Sequence, residues 1–238
     1  MIERASSADP RVVELLSHHP KVSTSERSNV PGIEFKQGDW QRSVSQGDHE
    51  AQQFGLLELM DNNPLVCADG ASIPCPLSIL AAIALGPLIL SGLLIEEPTV
   101  LSSASVSAED EADLQQTLHG LGWEGGAIVH STDLELQSVL AATVIAAVLT
   151  PDRIEDLDDL YEERFGRSFF VHRHEEGDWD IALVQGSQNA YFRLRIAHDI
   201  PHSLLTIQVM ADKDGKCGAG ALVHAMNVMA GFEESLGL

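Results

Sequence analysis

Positive charge is what this chain has least of. Its 238 residues hold 14 lysines and arginines against 36 aspartates and glutamates, a formal charge of -22. Nucleic-acid binding requires cationic patches, so that class of partner is excluded. The same deficit argues against docking on an anionic membrane surface. An acidic surface keeps a protein soluble and need not imply a cationic partner. Cysteine is also scarce. Cys67, Cys75 and Cys217 show neither metal nor disulfide spacing, which fits a reducing cytosol. No basic n-region leads into an apolar h-region at the N-terminus, so no secretory signal is expected, and the cytoplasm is the expected location. The glycine-rich stretch Gly120 to Gly126 lacks the phosphate-loop lysine and the G-x-G-x-x-G spacing, and is given no nucleotide role. Nothing repeats internally.

What is present in quantity is apolar. Hydrophobic residues make up 44% of the chain, enough for a sizeable core and too many for a disordered protein. Gly70 to Ile95 carries no charge at all, which marks a core element. The run is long enough to cross a bilayer. Yet Pro74, Pro76 and Gly86-Pro87 interrupt it, and Asp69 and Glu96-Glu97 flank it with no lysine or arginine. A soluble core helix broken at Gly86-Pro87 is expected. Pro76 suits the first helical position, which places Cys75 at the helix N-terminus. There the dipole favours a thiolate, so a nucleophile and an ordinary buried cysteine are both open readings.

Taken in order, residues 1 to about 50 are polar and broken up. Asp9-Pro10 predicts a capped short helix over the next residues, and Ser23 to Gly47 reads as loop. His18-His19 reads as a solvated pair. Leu65 to Ala68 reads as a short buried strand ending at Asp69-Gly70, and Thr99 to Ser102 as another. Ser107 caps an acidic first turn of a helix running to about His119. Leu136 to Leu149 is expected to be a buried central strand. Thr150-Pro151-Asp152 caps a helix with Ile154, Leu157, Leu160 and Tyr161 at helical spacing. Four strands follow at Phe169 to Arg173, Ile181 to Val184, Tyr191 to Ile196 and Leu204 to Met210, before a final helix bearing Leu222, Val223, Met226 and Met229. This order predicts an α+β fold, a mixed and largely antiparallel sheet flanked by helices.

The C-terminal residues carry a resemblance. Asp212, Lys216, Gly218-Ala219-Gly220, Met226-Asn227-Val228-Met229 and the ending Gly231 to Leu238 closely resemble the C-terminus of N-acetyl-gamma-glutamyl-phosphate reductases, NADP-dependent enzymes of arginine biosynthesis in the semialdehyde dehydrogenase superfamily. Phe169-Phe170-Val171 and Val184-Gln185-Gly186-Ser187 are similar to that family's Phe-Val and Val-x-Gly-Ser/Thr-Asn segments. Phe54 to Leu59 is similar to its Tyr-Gly-Leu-Pro-Glu-Leu, and the Cys75 segment to its nucleophile helix. The resemblance covers roughly residues 54–238, and implies the superfamily's catalytic and dimerisation domain there. It implies Cys75 as the nucleophile, Gly186, Ser187 and Lys216 as substrate-binding residues, and a homo-oligomer, dimer or tetramer, formed through the sheet.

Departures from the family accompany it. Family members begin with a Rossmann domain whose glycine-rich loop holds NADP. Here Glu3 to Pro10 contains no glycine, no strand–loop–helix is expected, and residues 1–53 read as a vestigial segment, so NADP binding is expected to be lost. The family's His-Arg-His-Thr-Pro-Glu base segment is not found around His119 or His130, and His172-Arg173-His174-Glu175 lies in another segment. The foremost reading is a degenerate paralogue acting as a binding, scaffold or regulatory protein, in one form beside a true reductase. A Cys75-dependent acyl transferase or hydrolase is the second, since acyl-thioester chemistry needs no nicotinamide. A reductase completed by another chain's nucleotide domain is the third. A zinc site from His172, His174, His198 and His202 is weighed and not adopted, so no metal is expected. Asp156 to Asp159 and Glu109 to Glu111 read as solvated helix faces.

Overall fold

The first fifty residues build a sheet. The computed structural model describes residues 1–153, 155–175, 177–199 and 201–238. Strand β1 (Arg4–Ser7) leads through Ala8-Asp9 into helix α1 (Pro10–His18), and β2 (Ser25–Arg27) returns parallel to β1. This strand–turn–helix and its parallel return stand where no such unit was expected. Asp9 caps α1, its carboxylate accepting from the Arg11 N–H at 2.8 Å, and Pro10 occupies the first turn as predicted.

Strands β3 (Ile33–Gln37) and β4 (Trp40–Gln46) form a hairpin where the composition reads as loop. Ile33, Phe35, Arg42 and Val44 are buried, so the sheet is anchored by one face although an arginine stands among its inward residues. Strand β5 (Gln53–Phe54), a short 3-10 helix at Leu57–Leu59, α2 (Asn62–Cys67) and β6 (Gly70–Ile73) complete the first sheet, ordered β2-β1-β3-β4-β6-β5. Leu65 to Cys67 is therefore helical rather than a strand, with Ala68 the extended residue that caps the helix. Only Leu65 of α2 is buried, and the strand signal belongs one turn later, to β6.

The uncharged run becomes α3 (Pro76–Leu90), with twelve buried residues from Leu77 to Leu88. It does not break at Gly86-Pro87. Pro87 sits in the last turn, where it forfeits a single intrahelical bond to Ile83, and burial of Leu85 and Leu88 outweighs that loss. Gly86 is a notch instead, since a Cβ there would lie 2.3 Å from Leu59 Cδ1. After α3 come β7 (Thr99–Ser102), α4 (Ala108–Gly120), β8 (Ile128–Ser131), β9 (Val139–Leu149), α5 (Glu155–Phe165), β10 (Val171–Arg173), β11 (Ala190–Ala197), β12 (His202–Asp212) and α6 (Ala219–Ala230). Ile154 of the predicted helix lies outside the described residues. Ile181–Leu183 is a 3-10 turn capped by Asp180, not a strand.

The second sheet is ordered β10-β11-β12-β9-β7-β8, mixed and mostly antiparallel, as expected, with β9 near its centre. One face, carrying Ala142, Val144, Ala146 and Val148, packs on α3. The other presents Thr143, Ile145, Ala147 and the exposed Leu149 and Leu204. Helix α6 packs on the first sheet and on α1 and α2. The whole is an α+β fold. No described helix is long and apolar enough to cross a membrane.

Arg42 joins its parts. The side chain is 2% exposed, and its guanidinium donates to the carbonyls of Leu65, Val66 and Ala68 at 3.0, 2.9 and 2.9 Å and to that of Met229. These are the carboxyl ends of α2 and α6, where the helix dipoles favour a cation. The rings of Trp40 and Phe35 lie at 4.0 and 5.6 Å from the guanidinium carbon.

Candidate functional site

Cys75 is the N-cap residue of α3, with Pro76 in the first turn, as the sequence implied. What surrounds it differs from that expectation. Asp113, 6% exposed, reaches across from α4, and its Oδ2 accepts the Cys75 backbone N–H at 2.9 Å. Its Oδ1 is 2.8 Å from Nε2 of His49, whose ring lies against Phe54 at 4.0 Å between centroids. Gly47, with φ +72°, closes over the sulfur, since a Cβ there would stand 2.8 Å from Sγ. The Gln46 amide fixes the floor by donating to the carbonyls of Pro74 and Cys217, each at 3.0 Å.

This environment pushes the Cys75 thiol up to about 12, first through burial, then through the charge and hydrogen bonding of Asp113, with Asp110 and Glu109 behind it. All three carboxylates belong to α4. Glu109 and Asp110 favour their own helix's N-terminus, where Ser107 and Asp110 form a capping box. The acidic turn that reads as a solvated face thus also acts on the sulfur. The dipole of α3 favours a thiolate, but burial and three carboxylates prevail.

The remaining predicted residues fall in two places. Asp212 gathers Gly186 N–H and Ser138 Oγ on one carboxylate oxygen, at 2.8 and 2.7 Å, and the N–H groups of Asp214 and Gly215 on the other, at 2.9 and 3.2 Å. Burial would raise its carboxyl, but these donors together hold it below the usual range. The turns so held, with Gly186 and Ser187, form one wall of a cleft of about 350 Å³ whose other wall is Arg11, Leu15 and His18 of α1. Lys216 lies elsewhere. Its Nζ is 2.5 Å from Glu58 Oε1, with the two side chains 2% and 5% exposed. Burial alone would raise Glu58, but the Lys216 charge, with that of His224, overrides it and holds the carboxyl low.

The histidines of the metal reading do not converge. His172 and His174 share a face beside Tyr191, while His198 and His202 sit at the far end of the β11–β12 pair. Among the described residues no three His, Cys, Asp or Glu side chains could hold a metal. His119 and His130 are exposed, and among the described residues neither is bonded to Cys75 or Asp113. The histidine bonded to the Asp113 carboxylate is His49, which, like Asp113, sequence reasoning missed. Both stand in polar stretches without motif, and the sequence gives no sign that they meet. His19 is not solvated either, being 3% exposed, while His18 is exposed as expected.

No family model matches the chain. It is 30% identical over 128 residues to an N-acetyl-gamma-glutamyl-phosphate reductase of Bacillus cereus (strain 03BB102), a stretch covering 53% of this chain and 36% of that protein. The reductase of Bacillus mycoides (strain KBAB4) is 32% identical over the same extent. The match thus spans about a third of the length of these curated relatives, 36% in each case. Among solved structures, aspartate semialdehyde dehydrogenase II of Vibrio cholerae, complexed with ASA, superposes with a TM-score of 0.64 at 12% identity, covering 94% of this chain and 96% of that one. In sequence the C-terminal half is similar to N-acetyl-gamma-glutamyl-phosphate reductases, and nearly the whole chain has the fold of a semialdehyde dehydrogenase.

Proposed function

We propose that this chain is a non-reducing relative of N-acetyl-gamma-glutamyl-phosphate reductase that works as a binding or regulatory protein. The observation that carries the reading is the Asp113 carboxylate set against Cys75. Reduction of an acyl phosphate through a thioester needs a thiolate, a base and a hydride donor in one place. Here the thiol stays protonated at neutral pH, and the nearby histidine is engaged by the same carboxylate.

Loss of NADP binding draws support from the start of α1. A phosphate at a helix N-terminus is held by free backbone N–H groups. Asp9 places its own carboxylate there, and Pro10 has no N–H to offer. The raised thiol also weighs against acyl transfer through Cys75. A homo-oligomer formed through the second sheet is supported by its outer face, where Ile145 and Ala147 lie beside exposed Leu149 and Leu204. A complex with an active reductase would use the same face.

Two measurements test this. Thermal denaturation with and without NADPH should give the same midpoint, because a bound ligand must raise it. Alkylation by iodoacetamide should leave Cys75 unlabelled near neutral pH, and rapid thiolate-type labelling there would overturn the reading.

A further inference from the structure

Asn227 of α6 is fully buried, and its Nδ2 donates to the backbone carbonyls of Glu234 and Leu236 at 3.1 and 2.9 Å. Carbonyls only accept, so the amide oxygen must point the other way, toward Nε2 of His19 at 2.9 Å. His19 therefore carries its proton on Nε2, and Nδ1 accepts the Lys21 N–H at 3.1 Å. The neutral imidazole uses both nitrogens. A second proton would set Nδ1–H against the Lys21 N–H in a site 3% exposed.

Among the described residues no charged group offsets a second proton: burial outweighs the Asn227 oxygen and the Leu236 carbonyl, which favour it. The groups facing His19 are Asn227 from α6, the Leu236 carbonyl and the Phe232 ring from the segment after α6, and the Lys21 backbone. Among the described residues no carboxylate is paired with it. Burial accordingly holds its pKa below the ordinary value. On its other side the same segment is tied by Glu234, whose Oε2 is 2.9 Å from Nε2 of buried His224, with Glu58, Lys216 and Phe170 as the further groups around that ring. Gly237, at φ +76°, presses so close to His19 that a Cβ would lie 2.5 Å from its Cδ2. Gly237 also lines the cleft beside α1.

We propose that residues 232–238 are a proton-released strap on the cleft between α1 and the Gly186-Ser187 turn, seated while His19 is neutral and lifted when it is protonated. Protonation breaks the Lys21 contact, drives the ring toward water and takes from Asn227 the partner that fixes its amide. The strap then loses both of its carbonyl anchors, and the cleft widens along its Gly237 edge.

Amide hydrogen exchange on the full chain, corrected for intrinsic pH dependence, tests this between about pH 7.5 and about pH 5. Protection in residues 232–238 and at Lys21 should fall roughly tenfold on acidification, while β9 and β12 keep theirs. His19→Gln, which retains a donor for Asn227 and takes up no proton, should abolish the response, and His224→Gln should retain it. Unchanged protection, loss only in step with β9, or an equal response in His19→Gln would overturn the proposal. Should His19→Gln fail to fold, Gly237→Ala serves, since its Cβ unseats the strap at either pH. A strap protected in that variant overturns the proposal as well.

Discussion

The two oxygens of the Asp113 carboxylate divide between Cys75 and His49, one accepting the Cys75 N–H at 2.9 Å and the other lying 2.8 Å from the imidazole. One acid thus holds both the backbone of the N-cap cysteine and the imidazole, and its charge bears on the sulfur. Asp113→Asn removes the charge and keeps the shape. Its Cys75 should alkylate with iodoacetamide at least about tenfold faster at pH 8 than the parent's, the thiol pKa having moved down. Equal rates would mean that burial alone, the first cause of the shift, governs the sulfur.

The Glu58–Lys216 pair is sealed from water on both sides. Removing one partner strands a buried charge, so Lys216→Met alone should cost on the order of 3–5 kcal/mol in urea unfolding. Glu58→Leu with Lys216→Met should recover most of it, because an apolar pair of similar volume often matches a buried ion pair. A double variant no better than the single would show that the pair also satisfies neighbours such as His224.

Stability should fall on both sides of a plateau. Buried His224 and His19 have lowered pKa values, so the stability of their neutral forms is present above about pH 6.5 and lost as pH falls. Glu58 and Asp212, also held low, contribute above about pH 4 and are lost below it. Cys75 and Cys217, both pushed to about 12, act in the opposite sense. Their contribution is complete below about pH 8.5, where an unfolded thiol starts to ionise, and is lost above it. Urea midpoints measured across pH should therefore be highest between about 6.5 and 8.5, and a midpoint still rising at pH 10 would contradict the thiol assignments.

On the outer face of the second sheet, Ile145 pairs with Thr206 across β9 and β12 and lies opposite Thr99 on β7. Ile145→Asp places a charge at its centre. Sedimentation should find the parent associated and the variant monomeric with an unchanged circular dichroism spectrum. A parent that sediments as a monomer would remove self-association through this face.

Much of the fold is legible in the sequence because long uncharged runs have few places to go. Helices α3 and α6 and strands β9 and β12 follow from that alone, and α1 from Asp9-Pro10. The hairpin β3–β4 is hidden because Arg42, which reads as surface, is among its buried residues. Gly86-Pro87 reads as a break although one residue is a notch for Leu59 and the other falls in a last turn. For the site, the place of Cys75 at a helix N-terminus is legible from Pro76, while Gly186, Ser187 and Lys216 are named by the resemblance alone. The partners that decide the chemistry are not legible, since His49 and Asp113 are brought together only by the packing of α4 beside the loop after β4.

Arg42 has a bearing on how the molecule comes apart. One guanidinium from β4 supplies donors to carbonyls at the ends of two helices, one of them within the C-terminal part of the chain. Excising residues 1–53 would leave those carbonyls facing an empty groove and expose the flank of α6 that rests on β3 and β4. The reductase-like half is thus not a free-standing module. It should melt with the first sheet in a single cooperative transition, and a shortened chain should be recovered as aggregate.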